Sequence, residues 1–122
     1  MSFGHPDIPF DASCLFCRIA VGEIAAEIVA ESEWAIAIRD INPSAPMHLL
    51  VIPKRHYATV GELAQADTSQ VGELVQLADI AAQKEGNPEY RLIFNSGESA
   101  GQSVFHVHGH VIGGKQLGWS PA

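Results

Sequence analysis

The sequence predicts an α+β domain with an antiparallel sheet of about five strands, one long helix and a short N-terminal helix. Short apolar segments occur in neighbouring pairs along the chain, which is typical of antiparallel strands. One long segment, at about 68–85, instead has its apolar residues at helical spacing. The 122 residues fit a single domain, which we assign to 13–122, after an irregular arm at 1–12.

The first predicted elements are short. Ser13 is in a position to cap a helical turn over 17–20, which Gly22 would end. Two apolar runs, at 27–31 and 34–38, are separated by two polar residues and therefore predict a hairpin.

The middle of the chain contains two proline-marked boundaries. Residues 40–46 are a polar, proline-containing loop, and a strand follows at 48–52 until Pro53 stops it. Thr59 and Glu62 have the spacing of a capping box, which predicts one helical turn.

The long helix has clear ends, because Asp67 can cap it and Gly86 can stop it. Leu77 and Ile80 make its apolar face broader than one stripe. A small sheet covers only part of such a face, so two interpretations stay open: an ordinary core helix, and a helix that contacts a second copy in a homodimer. The stripe itself consists of Val71, Leu74, Val75, Ala78, Ala81 and Ala82.

The last two strands are predicted at 91–95 and 104–112. In the second, His106, His108 and His110 occupy every second position among apolar residues, so the alternation of a strand would put them on one face. Buried ring nitrogens need partners, and a row of three is therefore a functional pattern. Either two of the rings chelate a metal, or one is a nucleophile that its neighbours position.

The charge of the chain limits its ligands. A formal net charge of −7 argues against binding to nucleic acid or to anionic membranes. No Lys or Arg lies between Arg91 and Lys115, so a phosphate beside the histidine row would depend on imidazoles, backbone N–H groups and a hydroxyl. The turn Gly101-Gln102-Ser103 offers such groups. With no membrane-length apolar run and no secretory pattern at the start, we expect a cytoplasmic location.

The segment His-Val-His-Gly-His-Val-Ile at 106–112 resembles the signature of the histidine triad family of nucleotide hydrolases and transferases. The lead-in at 101–103 and the tail at 113–119 resemble its Hint branch, the nucleoside phosphoramidases. The resemblance extends back to Cys14 and implies the HIT-like fold. Gly109 departs from it, because the family usually has a bulky apolar residue there. This glycine either opens space behind the nucleophile or admits another segment closely. The ending Trp-Ser-Pro-Ala also departs from the branch's Trp-Pro-Pro-Gly, which bears on the leaving-group pocket.

The resemblance implies a reaction. His108 would attack the phosphorus of a purine nucleoside 5′-phosphoramidate, and water would hydrolyse the nucleotidyl intermediate to release AMP or GMP. His110 would contact the phosphate oxygens, His48 would support the nucleophile, and Ser103 would complete the catalytic set. Asp40 would bind the ribose hydroxyls. The other implied substrate contacts are Ile41, Phe16 and Ile19 around the base, and Asn95, Gly101 and Gln102 near the phosphate or ribose.

Cys14 and Cys17 form a C-x-x-C motif without the preceding strand that a thioredoxin-like redox site requires. The resemblance to several bacterial family members implies that His56 and His106 join them as ligands of a structural zinc ion. Two thiolates and two neutral imidazoles would make this site closed and neutral, so it would tie segments together without acting as a Lewis acid. The alternative is a pair of free thiols. No organic cofactor is expected.

Three other functions stay open. The protein could hydrolyse a dinucleoside polyphosphate or another adenylated compound, or it could be a nucleotide-binding scaffold or regulator. It could also be a zinc metallohydrolase in which His106 and His108 chelate one metal together. The expected partners are a purine nucleotide and a second copy of the chain, with no nucleic acid and no membrane.

Overall fold

The computed structural model describes residues 10–120. The arm predicted at 1–12 therefore lies mostly outside the described residues, and residues 10–12 are irregular. Within the described part the elements are α1 Leu15–Ala20, β1 Ile28–Glu31, β2 Ala35–Arg39, β3 Met47–Pro53, α2 Val60–Ala66, α3 Thr68–Lys84, β4 Tyr90–Phe94, a 3₁₀ turn Glu98–Ala100, and β5 Gly109–Gly113.

The five strands form one antiparallel sheet in the order β1-β2-β3-β5-β4. The sequence-based prediction of an α+β domain with a five-stranded antiparallel sheet is thus confirmed. The last strand of the chain inserts between β3 and β4, and so β5 is hydrogen-bonded on both sides.

The two faces of the sheet carry different helices. Leu49 and Val51 of β3 pack in the larger apolar cluster with the buried side of α3. Leu50 and Ile52 point to the opposite face and pack with Phe16 of α1. Because side chains alternate along a strand, His48 lies on this second face, and His110 pairs with Leu50 in the neighbouring strand. The fold therefore puts these two histidines on the side of the sheet that bears α1.

The short helices differ from their predicted bounds. Cys14, and not Ser13, caps α1, because its sulfur accepts the N–H of Cys17 at 3.4 Å. Ser13 instead bonds the carboxylate of Asp11. The turn predicted after Thr59 is a helix of seven residues, with the Thr59 hydroxyl as its N-cap.

The long helix begins where it was predicted and ends one residue early, with Asp67 as its cap. The predicted apolar stripe is wrong at Val75, which is 45% exposed, and Leu77 is buried instead. Ile80 is 51% exposed. Along residues 10–120, every helix is too short or too polar to cross a bilayer.

The histidine strand is shorter than predicted. Regular pairing starts only at Gly109, so His106 and His108 precede the strand. The reason is a competing contact: the N–H of Val107 donates to the carbonyl of Tyr57 at 2.8 Å, in the loop after β3. The segment therefore lies outside the sheet, and pairing with β4 begins only at Gly109. Alternation persists nevertheless, because Val107 and Val111 lie in the cluster beneath α3.

Candidate active site and metal centre

His48, His108 and His110 form a histidine cluster on the α1 side of the sheet. The ring centroids of His108 and His110 are 5.1 Å apart, and those of His48 and His110 are 5.2 Å apart. The hydrogen-bond partners assign the ring protons. The N–H of Ser44 donates to His48 Nδ1 at 2.9 Å, so the proton of neutral His48 is on Nε2. That Nε2–H donates to His110 Nδ1 at 2.9 Å, and His110 therefore carries its own proton on Nε2.

Burial lowers the pKa of His110, and positive charge on His108 or His48 would lower it further, whereas Asp40 opposes the shift. His110 is consequently a neutral ring near pH 7, with one N–H to donate. A ring whose proton is fixed in this way is suited to hydrogen-bond an anionic oxygen.

His108 is held through its main chain. Its Nδ1–H donates to the carbonyl oxygen of His106 at 2.9 Å, so the lone pair of the neutral ring is on Nε2. Phe16 contacts the His108 ring in an edge-on arrangement, with centroids 5.0 Å apart. His108 is half-buried. This ring combines a free lone pair with a fixed orientation, which are the requirements of a nucleophile.

Asp40 directly follows β2 and borders the histidine cluster. Its Oδ1 accepts the N–H of Asn42 at 2.8 Å, which fixes the turn, and its Oδ2 lies 3.4 Å from His48 Nε2. Ile41, the next residue, is 91% exposed. Phe16 is buried and Ile19 is half-buried against the same cluster, so the structure brings Phe16 and Ile19 together and leaves Ile41 projecting from them.

The turn at 101–103 offers fewer donors than the sequence suggests. The N–H of Gly101 donates to Glu98 and that of Gln102 donates to Gly97, so neither amide is free for a phosphate. Asn95 lies against this turn, since a Cβ on Gly101 would be 3.9 Å from its Nδ2. The side chain of Ser103 is exposed, and it is the hydroxyl that this turn presents.

Sequence reasoning missed the role of the Gln102 side chain, which is only 3% exposed. Its Oε1 accepts the N–H of Gly97 at 2.8 Å, and its Nε2 donates to the carbonyls of Ala58 and Val104. One amide thus joins three loops around the site. A glutamine between a glycine and a serine in a loop carries no sequence signal for such a role.

Six of the seven lysine and arginine residues have partners away from the histidine cluster. Lys54 pairs with Glu31 at 2.8 Å, and Arg55 stacks on Trp34. The remaining partners are Glu23 for Arg18, Glu27 and Glu85 for Arg39, the Val29 carbonyl for Lys84 and the Gly118 carbonyl for Arg91. The seventh, Lys115, lines a surface pocket with Glu89 and Gln116, so the described contacts bring no lysine or arginine to the histidine cluster.

Cys14, Cys17, His56 and His106 form a second group, the Cys–His cluster, whose ligand atoms all lie within 4.8 Å of one another. His106 Nδ1 is 3.3 Å from Cys14 Sγ, 3.5 Å from Cys17 Sγ and 3.1 Å from His56 Nδ1. Cys17 Sγ is 3.4 Å from His56 Nδ1. A tetrahedral zinc site with ordinary bond lengths has ligand–ligand edges of about 3.3–3.8 Å, so the spacing fits.

The protonation of His106 also fits a metal ligand. Its Nε2 donates to the carbonyl of Pro53 at 2.8 Å, which leaves a lone pair on Nδ1, directed at the two sulfurs. Burial lowers the pKa of His106 to about 4, so the ring is neutral at pH 7. Burial raises the pKa of the Cys17 thiol to about 12, and a bound divalent cation is what would hold this sulfur as a thiolate.

The hypothesis that His106 and His108 chelate one metal together is wrong. His106 directs Nδ1 to the cysteines and Nε2 to Pro53, while His108 uses Nδ1 for the His106 carbonyl. Among the described residues, His106 belongs to the Cys–His cluster, and His108 belongs to neither of the groups of three or more potential metal ligands. A metal in the Cys–His cluster would tie α1 to the segment before β5.

Comparison with known proteins agrees with this geometry. Residues 21–117 match the model of the HIT domain. A 14 kDa zinc-binding protein of Zea mays is 41% identical over 115 residues, which cover 91% of this chain and 89% of the maize protein.

Solved structures give the same result. A HIT family hydrolase from Legionella pneumophila superimposes with a TM-score of 0.84 at 46% identity, covering 89% of this chain and 99% of that one. A HIT family hydrolase from Clostridium thermocellum gives 0.87 at 40% identity, covering 92% and 99%. The domain match, the shared fold and the spacing of the three histidines together establish that this chain belongs to the HIT family.

Proposed function

We propose that this protein is a hydrolase that cleaves the P–N bond of purine nucleoside 5′-phosphoramidates through a nucleotidyl intermediate on His108. The observation that carries the proposal is the hydrogen bond from His108 Nδ1–H to the His106 carbonyl, because it leaves Nε2 as a fixed nucleophile. Two solved relatives are themselves described as HIT family hydrolases.

The reaction has two steps. His108 Nε2 attacks the α-phosphorus, the P–N bond breaks, and the amine leaves after taking a proton from the solvent. Water then attacks the same phosphorus and releases a proton to the solvent, the bond to Nε2 breaks, and the nucleoside monophosphate leaves with the neutral ring restored. The adduct carries a positive charge, which the His106 carbonyl stabilises through the Nδ1–H. His110 donates its Nε2–H to the phosphate oxygens, in an orientation that His48 fixes.

The ribose and base would lie beside the histidine cluster. Asp40 Oδ2 accepts hydrogen bonds from the ribose hydroxyls, while Oδ1 keeps its turn bond. Phe16 and Ile19 form the wall of the base site, with Ile41 closing over it from its exposed position. Ser103 supplies its hydroxyl to the phosphate, and Asn95 stands beside the same turn.

The test is intact-protein mass spectrometry during turnover of adenosine 5′-phosphoramidate, with quenching that avoids acid. We expect wild type to gain a transient adenylyl group and His108→Asn to gain none. Turnover by wild type without an adduct would point to direct attack by water. A dinucleoside polyphosphate, assayed in parallel, tests the strongest enzymatic alternative. If its kcat/KM is higher than that of the phosphoramidate, the dinucleoside polyphosphate is the better substrate and the alternative is favoured.

The scaffold alternative predicts a different result. If the protein acts by binding nucleotide, His108→Asn should lose hydrolysis and still perform its role in the cell. Complementation of a deletion strain by this variant would therefore favour a scaffold. Failure of complementation, with AMP binding retained in vitro, favours the hydrolase.

Zinc and a homodimer belong to the same proposal. The Cys–His cluster holds one structural zinc ion, which native mass spectrometry should find in equimolar amount. The dimer interface includes the face of α3 that bears Val75 and Ile80, both about half exposed. Ile80→Glu should give a monomer in sedimentation equilibrium, whereas Gln65→Glu, at an exposed polar position of α2, should stay dimeric.

A further inference from the structure

The β4–β5 ladder has a glycine opposite an aromatic residue at each end. Tyr90 pairs with Gly113 at one end, and Phe94 pairs with Gly109 at the other. Gly109 separates His108 from His110, so this second pair lies at the candidate nucleophile. Gly109 does not have a positive φ, and its backbone conformation is therefore open to any residue. The missing side chain at 109 needs another explanation.

The space at Gly109 is filled from β4. A Cβ on Gly109 would lie 2.9 Å from both Cε1 and Cζ of Phe94, and 2.9 Å from Cδ1 of Leu92. Any side chain at position 109 would therefore force Phe94 and Leu92 to shift. Gly109 is buried, while Phe94 and Leu92 pack against the main apolar cluster. Of the two interpretations of Gly109 left open by the sequence, the close approach of another segment is therefore the correct one.

The position of this contact matters because Gly109 is the first residue of β5. The segment that carries His108 joins the sheet at this point, and glycine restricts the backbone of a strand less than any other residue. An aromatic ring over a glycine on the neighbouring strand restores order at such a position. We propose that Phe94 is a positioning residue, whose ring holds the main chain between His108 and His110 in its active geometry. This inference rests on the proposed function, since it concerns the same nucleophile.

Phe94 would act through the backbone and not on the substrate. Its ring belongs to the face that packs beneath α3, together with Val107 and Val111. The histidine cluster lies on the opposite face, with Phe16. Loss of the ring should therefore reduce kcat, which depends on the alignment of Nε2, and leave KM nearly unchanged.

The experiment compares Phe94→Ala with Tyr90→Ala, which removes an aromatic ring opposite the glycine at the far end of the same ladder. With adenosine 5′-phosphoramidate we expect Phe94→Ala to lower kcat about 10- to 100-fold with KM within about threefold of wild type. Tyr90→Ala should keep kcat within about twofold, even if it loses as much thermal stability. Phe94→Leu, which retains part of the ring volume, should fall between wild type and Phe94→Ala.

A second readout does not depend on the substrate. In ring-¹⁵N-histidine NMR, the His108 Nδ1–H correlation that reports the bond to His106 should persist in Tyr90→Ala and weaken or disappear in Phe94→Ala. An inactive wild type would remove the proposed function, but these spectra would still test Phe94. Equal kcat and equal spectra for the two folded alanine variants would overturn the inference.

If Phe94→Ala does not fold, variants that move side-chain volume from β4 to β5 still test the inference. Gly109→Leu alone should crowd Phe94 and lower kcat, and the pair Phe94→Val with Gly109→Leu should restore kcat to within about threefold of wild type, because the bulk has only changed strands. A double variant that folds but is as slow as Gly109→Leu would also overturn the inference.

Discussion

His108 donates its Nδ1–H to the main-chain carbonyl of His106 over 2.9 Å. This bond joins the candidate nucleophile to a residue of the Cys–His cluster, although the two rings serve different sites. The His106 ring belongs to the Cys–His cluster, and its Nε2–H also donates to the carbonyl of Pro53 at 2.8 Å. The carbonyl that orients His108 is thus held by the protein as well as by any metal.

The first prediction concerns loss of the metal. Cys17→Ser should bind no zinc and should melt at least about 10 °C lower, because metal binding contributes directly to folding free energy. At 25 °C the folded variant should keep kcat within about threefold of wild type, since Pro53 still holds His106. Metal content, thermal unfolding and steady-state kinetics check this. Complete loss of turnover in folded, chelator-treated wild type, restored by zinc, would contradict a purely structural metal.

The second prediction concerns His48. His48→Ala removes the donor to His110 Nδ1, so the proton of His110 is no longer fixed on Nε2. We expect kcat to fall about 10²-fold, in the range typical for loss of one group in a proton-transfer or orienting role. His48→Gln, whose amide can still donate to His110, is the matched variant and should lose less. If both variants keep wild-type kcat, His48 does not orient His110.

The third prediction concerns Asp40. Asp40→Asn keeps an oxygen for the N–H of Asn42 but removes the charge that we propose accepts the ribose hydroxyls. We expect KM for an adenosine substrate to rise about tenfold, with little change for its 2′,3′-dideoxy analogue. The ratio of kcat/KM for the two substrates measures this. An unchanged ratio in a folded variant would remove Asp40 from the ribose site.

The fourth prediction concerns pH. Burial lowers the pKa of His110 below its ordinary value of about 6.5, so the folded protein binds this proton more weakly than the unfolded chain does. The stability from neutral His110 is present above that ordinary value and is lost as the pH falls below it. Wild type should therefore lose more unfolding free energy than His110→Gln between about pH 7.5 and 5.5. Urea unfolding at both pH values checks the sign, and equal losses would refute it.

The sequence predicted the sheet because each strand has its own local signal. The hairpin of β1 and β2 follows from two apolar runs with a polar break, and β3 ends at Pro53, where the sequence places its stop. The start of β5 could not be predicted in this way. His106 through His108 alternate like a strand, but the bond from Val107 to Tyr57 outcompetes pairing with β4, and a partner 50 residues away has no local signature.

The candidate site was predicted in part for the same reason. The family resemblance named the residues, and the structure brings His48, His108 and His110 together, as it does the Cys–His cluster. The resemblance did not reveal that the N–H groups of Gly101 and Gln102 already donate to backbone carbonyls, because the partner of a backbone N–H cannot be identified from the sequence. The role that we propose for Phe94 was missed because it depends on a glycine on another strand.

The absence of lysine and arginine from the histidine cluster has a consequence for the setting in which the protein works. Recognition of a phosphate by neutral rings and a hydroxyl involves no exchange of bound counterions, in contrast to a basic pocket. The KM for a nucleotide substrate should therefore change little between about 50 and 500 mM salt, a range over which interactions between fixed charges are strongly screened. At a fixed substrate concentration, the protein would then keep nearly the same fractional saturation with its proposed substrate across that range of salt.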